Sequence, residues 1–293
     1  MGSVVKMAAI HKAGVLLEMI KFQHTIFAMP FALIGMMLAA RGLPDTATVL
    51  WIVACCVFAR TAAMCFNRWA DAEIDARNPR TAARAIPAGQ MEKMVVLGLA
   101  LVSSALFVGS AGMLNSLALA LSPVALVVLL GYSYCKRFTS WSHFVLGLAL
   151  GIAPVGAWVA VRGDFGLIPI LLCIAVLLWT AGFDLIYSCQ DVEVDREQGL
   201  FSIPARYGVA IALWLARLLH VACIASLLLL GAAAGLHVPY YAGVAAVACL
   251  LVAEHLVVNP QDLRRIELAF FTINSWVGVV LFIFTASDIA LYR

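Results

Sequence analysis

The chain has 293 residues, of which 64% are hydrophobic and only 12% charged, and its mean hydropathy is +1.01. Those values exclude an ordinary water-soluble globular protein, and the apolar runs leave no length for a separate soluble domain. The formal charge of +3 reads as a membrane-topology signal and not as a nucleic-acid footprint.

Nine apolar runs follow in chain order, at about 22–40, 47–66, 93–111, 113–131, 143–161, 167–187, 208–231, 237–258 and 268–288. Each approaches the ~20 residues that a helix needs to cross a bilayer. A turn at Gly112 separates the third run from the fourth. The expected fold is all-α: an integral membrane protein of about nine transmembrane helices, forming one embedded unit over residues 1–293. Residues 1–21 lack the apolar core and small-residue cleavage site of a secretory signal. With Lys6, Lys12 and Lys21 at headgroup level, they read as an interfacial helix or as a frayed end. The eight cysteines show no C-x-x-C spacing and sit within or beside apolar runs, where they read as small buried hydrophobes.

Lysine and arginine set the orientation. With the N-terminus inside, the inner side collects Lys6, Lys12, Lys21, Arg60, Arg68, Arg77, Arg80, Arg84, Lys93, Lys136, Arg137, Arg196, Arg206, Arg217, Arg264 and Arg265. Only Arg41, Arg162 and Arg293 remain outside. This distribution points to a cytoplasmic face and a plasma (inner) membrane location.

Acid is as unevenly placed as base. Seven of the sixteen Asp and Glu residues lie in "NRWADAEIDARNPRTAARAIPAG" (67–89) and "DLIYSCQDVEVD" (184–195), after the second and sixth runs and so on one side of the membrane. In helical register Asn67, Asp71 and Asp75 share a face, and so do Asp184, Tyr187, Asp191 and Asp195. Like charges four apart repel on a helix, so something positive is expected between the stripes. A hard divalent cation fits, because magnesium takes one or two carboxylates and completes its shell with water and phosphate. Both stripes then serve as metal ligands around one diphosphate. Arginine and lysine complete a phosphate site: Arg68, Arg77, Arg80 and Arg84 flank the first run, Arg196 and Arg206 flank the second, and Lys136 and Arg137 end the fourth span. Tyr187 shares a stripe with the aspartates and is placed to face a cationic intermediate. Arg217 and Glu254 are expected to neutralise each other on adjacent spans.

The two runs, with "YSYCKRFTSWSHFVLG" between them, resemble the motifs of the UbiA superfamily of intramembrane prenyltransferases over nearly the whole chain. The resemblance implies nine helices in two bundles around a central cavity that opens to the cytoplasmic side. It implies that Asn67, Asp71, Asp75, Asp191 and Asp195 bind Mg2+ and the diphosphate, with contacts from Lys136 and Arg137. Arg68 stands where many aromatic-acid members carry a further Asp, exchanging a metal ligand for a phosphate ligand. Phe201 stands where many carry Lys, a cation that Arg196 or Arg206 would replace. The implied reaction moves a polyprenyl group from an allylic polyprenyl diphosphate to an aromatic acceptor in quinone synthesis. The acceptor is 4-hydroxybenzoate, or alternatively 1,4-dihydroxy-6-naphthoate on the futalosine route to menaquinone. Lys21 or Arg137 would meet an acceptor carboxylate, and His24, Asn274 and Ser275 would line its pocket or join helices by hydrogen bonds.

Two readings of other classes compete. A divalent-cation transporter would place acid in mid-span, whereas here it gathers at one face beside phosphate-binding cations. A CDP-alcohol phosphotransferase would hold its aspartates in one compact motif, whereas here they are divided between two distant loops.

Overall fold

The computed structural model describes Gly14, Met19, residues 27–258, Ile266 and residues 272–292. Its helices are α1 (Met29–Ala40), α2 (Thr46–Ala70), α3 (Ala72–Arg77), α4 (Lys93–Gly112), α5 (Ser116–Cys135), α6 (Ser142–Arg162), α7 (Leu167–Ser188), α8 (Val192–Glu197), α9 (Ile203–Tyr207), α10 (Val209–Ala234), α11 (Val238–Val257) and α12 (Asn274–Tyr292). Among the described residues there is no strand. Helical backbone satisfies its own hydrogen bonds, as a chain in lipid must.

Eight of these helices are long and apolar enough to cross a membrane, and they match eight of the nine expected runs. The first run is represented by the 12 residues of α1. Its upstream part and most of the expected interfacial segment lie outside the described residues, as do Lys21, His24, Arg264 and Arg265. The turn near Gly112 is present, but α5 starts at Ser116 rather than at 113. Asn115 is the reason. Its side chain accepts the Ala118 amide at 2.8 Å and donates to the Val159 carbonyl of α6 at 2.8 Å, capping one helix while holding another.

Lipid supplies no hydrophobic drive between helices, so close packing must hold them. Gly147 and Gly151, four apart on α6, bring that helix against the α7 backbone at Leu177 and Cys173. Gly35 does the same for α1 against Pro154 of α6. A Cβ at any of the three would collide with backbone carbonyls. Large apolar side chains such as Val127 and Leu256, 72% and 81% exposed, face outward to where lipid would lie.

Polar groups in the interior are tied together. Trp179 donates its indole N–H to Asn274, and Asn274 donates to Glu254 at 2.6 Å. The imidazole of His220 lies 2.9 Å from that of His255 and 3.7 Å from a Glu254 oxygen. Glu254 is therefore held by Asn274, with His220 near its other oxygen, rather than by Arg217, because its side chain points into the core. Asp288 of α12, fully buried, accepts the backbone amides of His237 and Tyr240 and so caps α11 from outside that helix.

The alternation of long helices carries the segments 71–92, 136–141 and 189–208 to one end of the bundle. Contacts between them confirm this: Phe201 donates its amide to the Lys136 carbonyl, and Gln198 reaches the Ile74 carbonyl.

Candidate active site

The first acidic run begins as the last turn of α2. Asn67 sits there, its amide 2.8 Å from Asp71, which terminates the helix. The chain bends at Asp71 and restarts as α3, yet the Asp71 amide still bonds to Asn67 and the Asp75 amide to Asp71. The shared face expected of Asn67, Asp71 and Asp75 therefore survives the bend. Behind the second run the expected continuous helix is interrupted: α7 ends at Ser188, and a 3-10 turn spans Cys189–Asp191 before α8 starts. Beyond that turn Asp191 meets Asn78 and Arg80 and Asp195 meets Lys136, whereas Asp184 meets His143.

The two runs meet. Asn78 donates to Asp191 at 3.0 Å, and Arg80 grips both oxygens of the same carboxylate at 3.0 and 2.6 Å. Arg80 also donates to the Tyr187 hydroxyl at 2.8 Å and lies over that ring. Arg84 pairs with Asp75 at 2.6 Å, with Arg68 4.0 Å away on its other side. Arg137 bridges the Ala70 carbonyl and Asp71, and Lys136 stands 3.6 Å from Asp195. The positive charge that two acidic stripes require is thus supplied here by the chain's own cations.

The partners are not equally buried. Asp75, Asp191 and Asp195 are buried, while Arg80 and Arg84 each keep 28% of their side-chain surface open. Burial raises the Asp71 carboxyl above the ordinary carboxylate range, against the Arg137 hydrogen bond. For Lys136 burial acts downward, but Asp195, Asp184 and Asp191 outweigh it and the ammonium is raised. Buried carboxylates under movable cations form a layer that can exchange partners.

Below that layer lies a cavity of about 820 Å³. Its polar end is formed by Asn67, Arg68, Arg80, Arg84, Asp184 and Tyr187, and its remainder mostly by apolar side chains of α2, α5 and α6. It follows α2 from Asn67 to Ile52, which is roughly 22 Å at the rise of an α-helix. Asp71, Asp75, Asp191, Asp195, Lys136 and Arg137 stand behind its wall and not on it.

Three further placements differ from what the sequence suggests. Arg60, counted there with the inner loops, lies within α2 two turns below Asn67 and faces the cavity. Arg196 donates to the Ala205 carbonyl and joins α8 to α9, and Arg206 is exposed beside the Tyr207 ring. Asn274 is buried in the Trp179–Glu254 network and does not line the cavity, so of its two expected roles it takes the helix-joining hydrogen bonds. Sequence reasoning missed Asn78 as a partner of Asp191, although it opens the "NPRT" stretch. It also missed His143, whose only signal is an imidazole at the head of an apolar run.

Fold and site together define an all-helical integral membrane protein with an apolar chamber roofed by paired carboxylates and guanidinium groups. The model of the UbiA prenyltransferase family matches residues 28–276, and the chain belongs to that family. It is a prenyltransferase. It is 28% identical to the 4-hydroxybenzoate octaprenyltransferase of Photobacterium profundum, with 97% of this chain and 100% of that one covered. Among solved structures it is similar to the apo UbiA homolog from Aeropyrum pernix K1, with a TM-score of 0.83, 35% identity and coverage of 91% of this chain and 98% of that one. A UbiA homolog from Archaeoglobus fulgidus bound to DMAPP and Mg2+ shares the fold, with a TM-score of 0.70 at 15% identity, covering 94% and 99%.

Proposed function

We propose that the chain transfers a polyprenyl group from an allylic polyprenyl diphosphate to 4-hydroxybenzoate in quinone biosynthesis, with the acidic end facing the cytoplasm across the plasma (inner) membrane. The observation that carries this reading is the chamber itself: an apolar space of prenyl-chain character, closed at one end by half-open arginines over buried carboxylates. The name of the Photobacterium relative and the ligands of the Archaeoglobus structure support donor and acceptor class. The orientation rests on the excess of lysine and arginine at the acidic end.

The residues present fit magnesium. Asp75 and Asp195 each bury an oxygen without a hydrogen-bond partner among the described residues. Among those residues no three carboxylate, imidazole or thiol groups close on one point, so an all-protein cage is not formed. Magnesium does not ask for one: one or two carboxylates with phosphate oxygens and water suffice. Asn67, Asp71 and Asp75 would hold one ion and Asp191 with Asp195 a second. Bound there, magnesium neutralises charge as it develops on the leaving diphosphate.

The chain's own groups do the rest. Arg80 and Arg84, paired here with Asp191 and Asp75, would turn their planar donors to the diphosphate, with Arg68 and Lys136 as further cations. Tyr187, Tyr132 and Phe183 line the cavity wall, where aromatic rings would stabilise an allylic cation. The apolar wall below excludes water that would capture it. Arg60, a cation inside a span and on that wall, meets the acceptor's carboxylate.

The test offers purified protein an allylic diphosphate with magnesium, and 4-hydroxybenzoate in competition with 1,4-dihydroxy-6-naphthoate, and identifies the product by mass. Prenylated 4-hydroxybenzoate is expected to dominate. A naphthoate product would overturn the acceptor, and magnesium flux in reconstituted vesicles without any transfer would overturn the reaction class.

A further inference from the structure

We propose that Asp184 accepts the ring proton that the aromatic acceptor loses, and that His143 is the positioning residue that aims it, a role that rests on the transfer reaction above. Among the described residues, Asp184 is the one carboxylate on the cavity wall; the other four aspartates of the acidic end stand behind it. It projects from α7 one turn before Tyr187, below the Arg80 clasp and not within it. Its Oδ2 lies 2.7 Å from His143 Nδ1. The other imidazole nitrogen, Nε2, accepts the Ile203 backbone amide at 3.4 Å. Nε2 therefore carries no proton, and Nδ1 is the donor to Asp184.

The imidazole is fully buried and locked between α6, α7 and the start of α9, so it cannot itself reach substrate. It holds one carboxylate oxygen and leaves the other without a protein hydrogen bond among the described residues, in a side chain that lines the cavity. A structural clamp between α6 and α7 would not require a carboxylate on the cavity wall.

The step balances. The allylic carbon–oxygen bond breaks and its electron pair leaves with the diphosphate. A ring π pair of the acceptor forms the new carbon–carbon bond, giving a cationic ring. The proton on that ring carbon passes to the free oxygen of Asp184, and the C–H pair restores aromaticity. Asp184 returns the proton to water as product leaves.

The test follows ring-prenylated product and diphosphate release separately, with 4-hydroxybenzoate carrying hydrogen or deuterium on the ring. Asp184→Asn is expected to lower product by about a hundredfold and diphosphate release without acceptor far less, because ionisation needs no base. His143→Leu is expected to lower kcat about tenfold with little change in KM, and to expose a deuterium effect absent from the wild type. His143→Gln keeps a side-chain N–H donor for Asp184 and is expected to recover most of the rate. Product formation by Asp184→Asn near the wild-type level would overturn the proposal. So would product and diphosphate release falling together with no deuterium effect in either variant. Absence of ring-prenylated product from the wild type would overturn the transfer reading itself, and this role with it.

Discussion

The acidic end and the α7–α12 interior both bury carboxylates, but among the described residues only the acidic end covers them with arginines that reach open space. Asp191 is gripped by Arg80 and Asp75 by Arg84, and both arginines remain part-exposed at the cavity. Glu254 instead lies completely buried against Asn274 and His220, with no place on the cavity wall. Burial of charge in a membrane therefore does not by itself mark an active site. What separates the two regions is whether the partner can leave. A guanidinium with open surface can trade a carboxylate for phosphate, whereas a partner sealed within four packed helices serves the fold.

The hardest test of that contrast is to remove a carboxylate from the exchangeable layer. Asp191→Ala and Asp71→Ala are each expected to lower transfer roughly a thousandfold in membranes supplied with allylic diphosphate and magnesium, since each removes charge stabilisation of the leaving group. Asp191→Asn preserves volume and should lose activity as severely. Chelation of divalent cations should match these losses and be reversed by magnesium. Near-normal turnover in both alanine variants would remove the site.

Removing the movable cation should cost less. Arg80→Ala is expected to reduce kcat/KM about a hundredfold, mostly through KM for the diphosphate, because Asp191 and the metal remain. Arg80→Lys should recover only part, since an ammonium cannot span both Asp191 oxygens and the Tyr187 hydroxyl. Full recovery by lysine would show that charge alone matters there.

The interior network should respond in stability and not in chemistry. Asn274→Leu leaves the Trp179 indole N–H and a Glu254 oxygen without their partner, at a cost of about 1–3 kcal/mol per buried group. A lower melting temperature in detergent with unchanged KM for both substrates is the expected outcome. A selective rise in KM for the acceptor would move Asn274 into the substrate pocket and blur the contrast.

How much of this was legible follows from what each feature depends on. Span positions depend on apolar length alone, so eight runs reappear as helices with boundaries shifted by only a few residues. The repeated i, i+4 aspartates were equally visible, because helical register carries from sequence to space without any knowledge of neighbours. Partners were not. Asn78 and Arg80 meet Asp191 across 113 and 111 residues, and His143 meets Asp184 across 41, distances fixed by helix packing and loop path. Arg60 was hidden by the same charge count that gave the topology, since a cation near a span end looks like an anchor until the cavity behind it is seen. The 3-10 turn at Cys189 was hidden too, because nothing in "YSCQDV" forbids a continuous helix; it is tertiary contact that turns Asp191 toward Arg80.

The smallest effect is the sharpest check on the exchange criterion. Arg206 carries the same charge as Arg80 and also follows an acidic run, eleven residues after Asp195 where Arg80 stands five after Asp75, so sequence alone counts both as flanking cations. In the structure its guanidinium is exposed and rests near the ring of Tyr207, away from the carboxylates and off the cavity wall. Arg206→Ala should therefore change transfer by less than about twofold, as surface substitutions away from a site usually do. Arg196→Ala should lower stability by about 1 kcal/mol through its lost bond to the Ala205 carbonyl, again with KM for the diphosphate unchanged. If Arg206→Ala instead raised that KM tenfold, the diphosphate would have to extend beyond the cavity wall to α9, and proximity to the chamber would no longer decide which cations serve it.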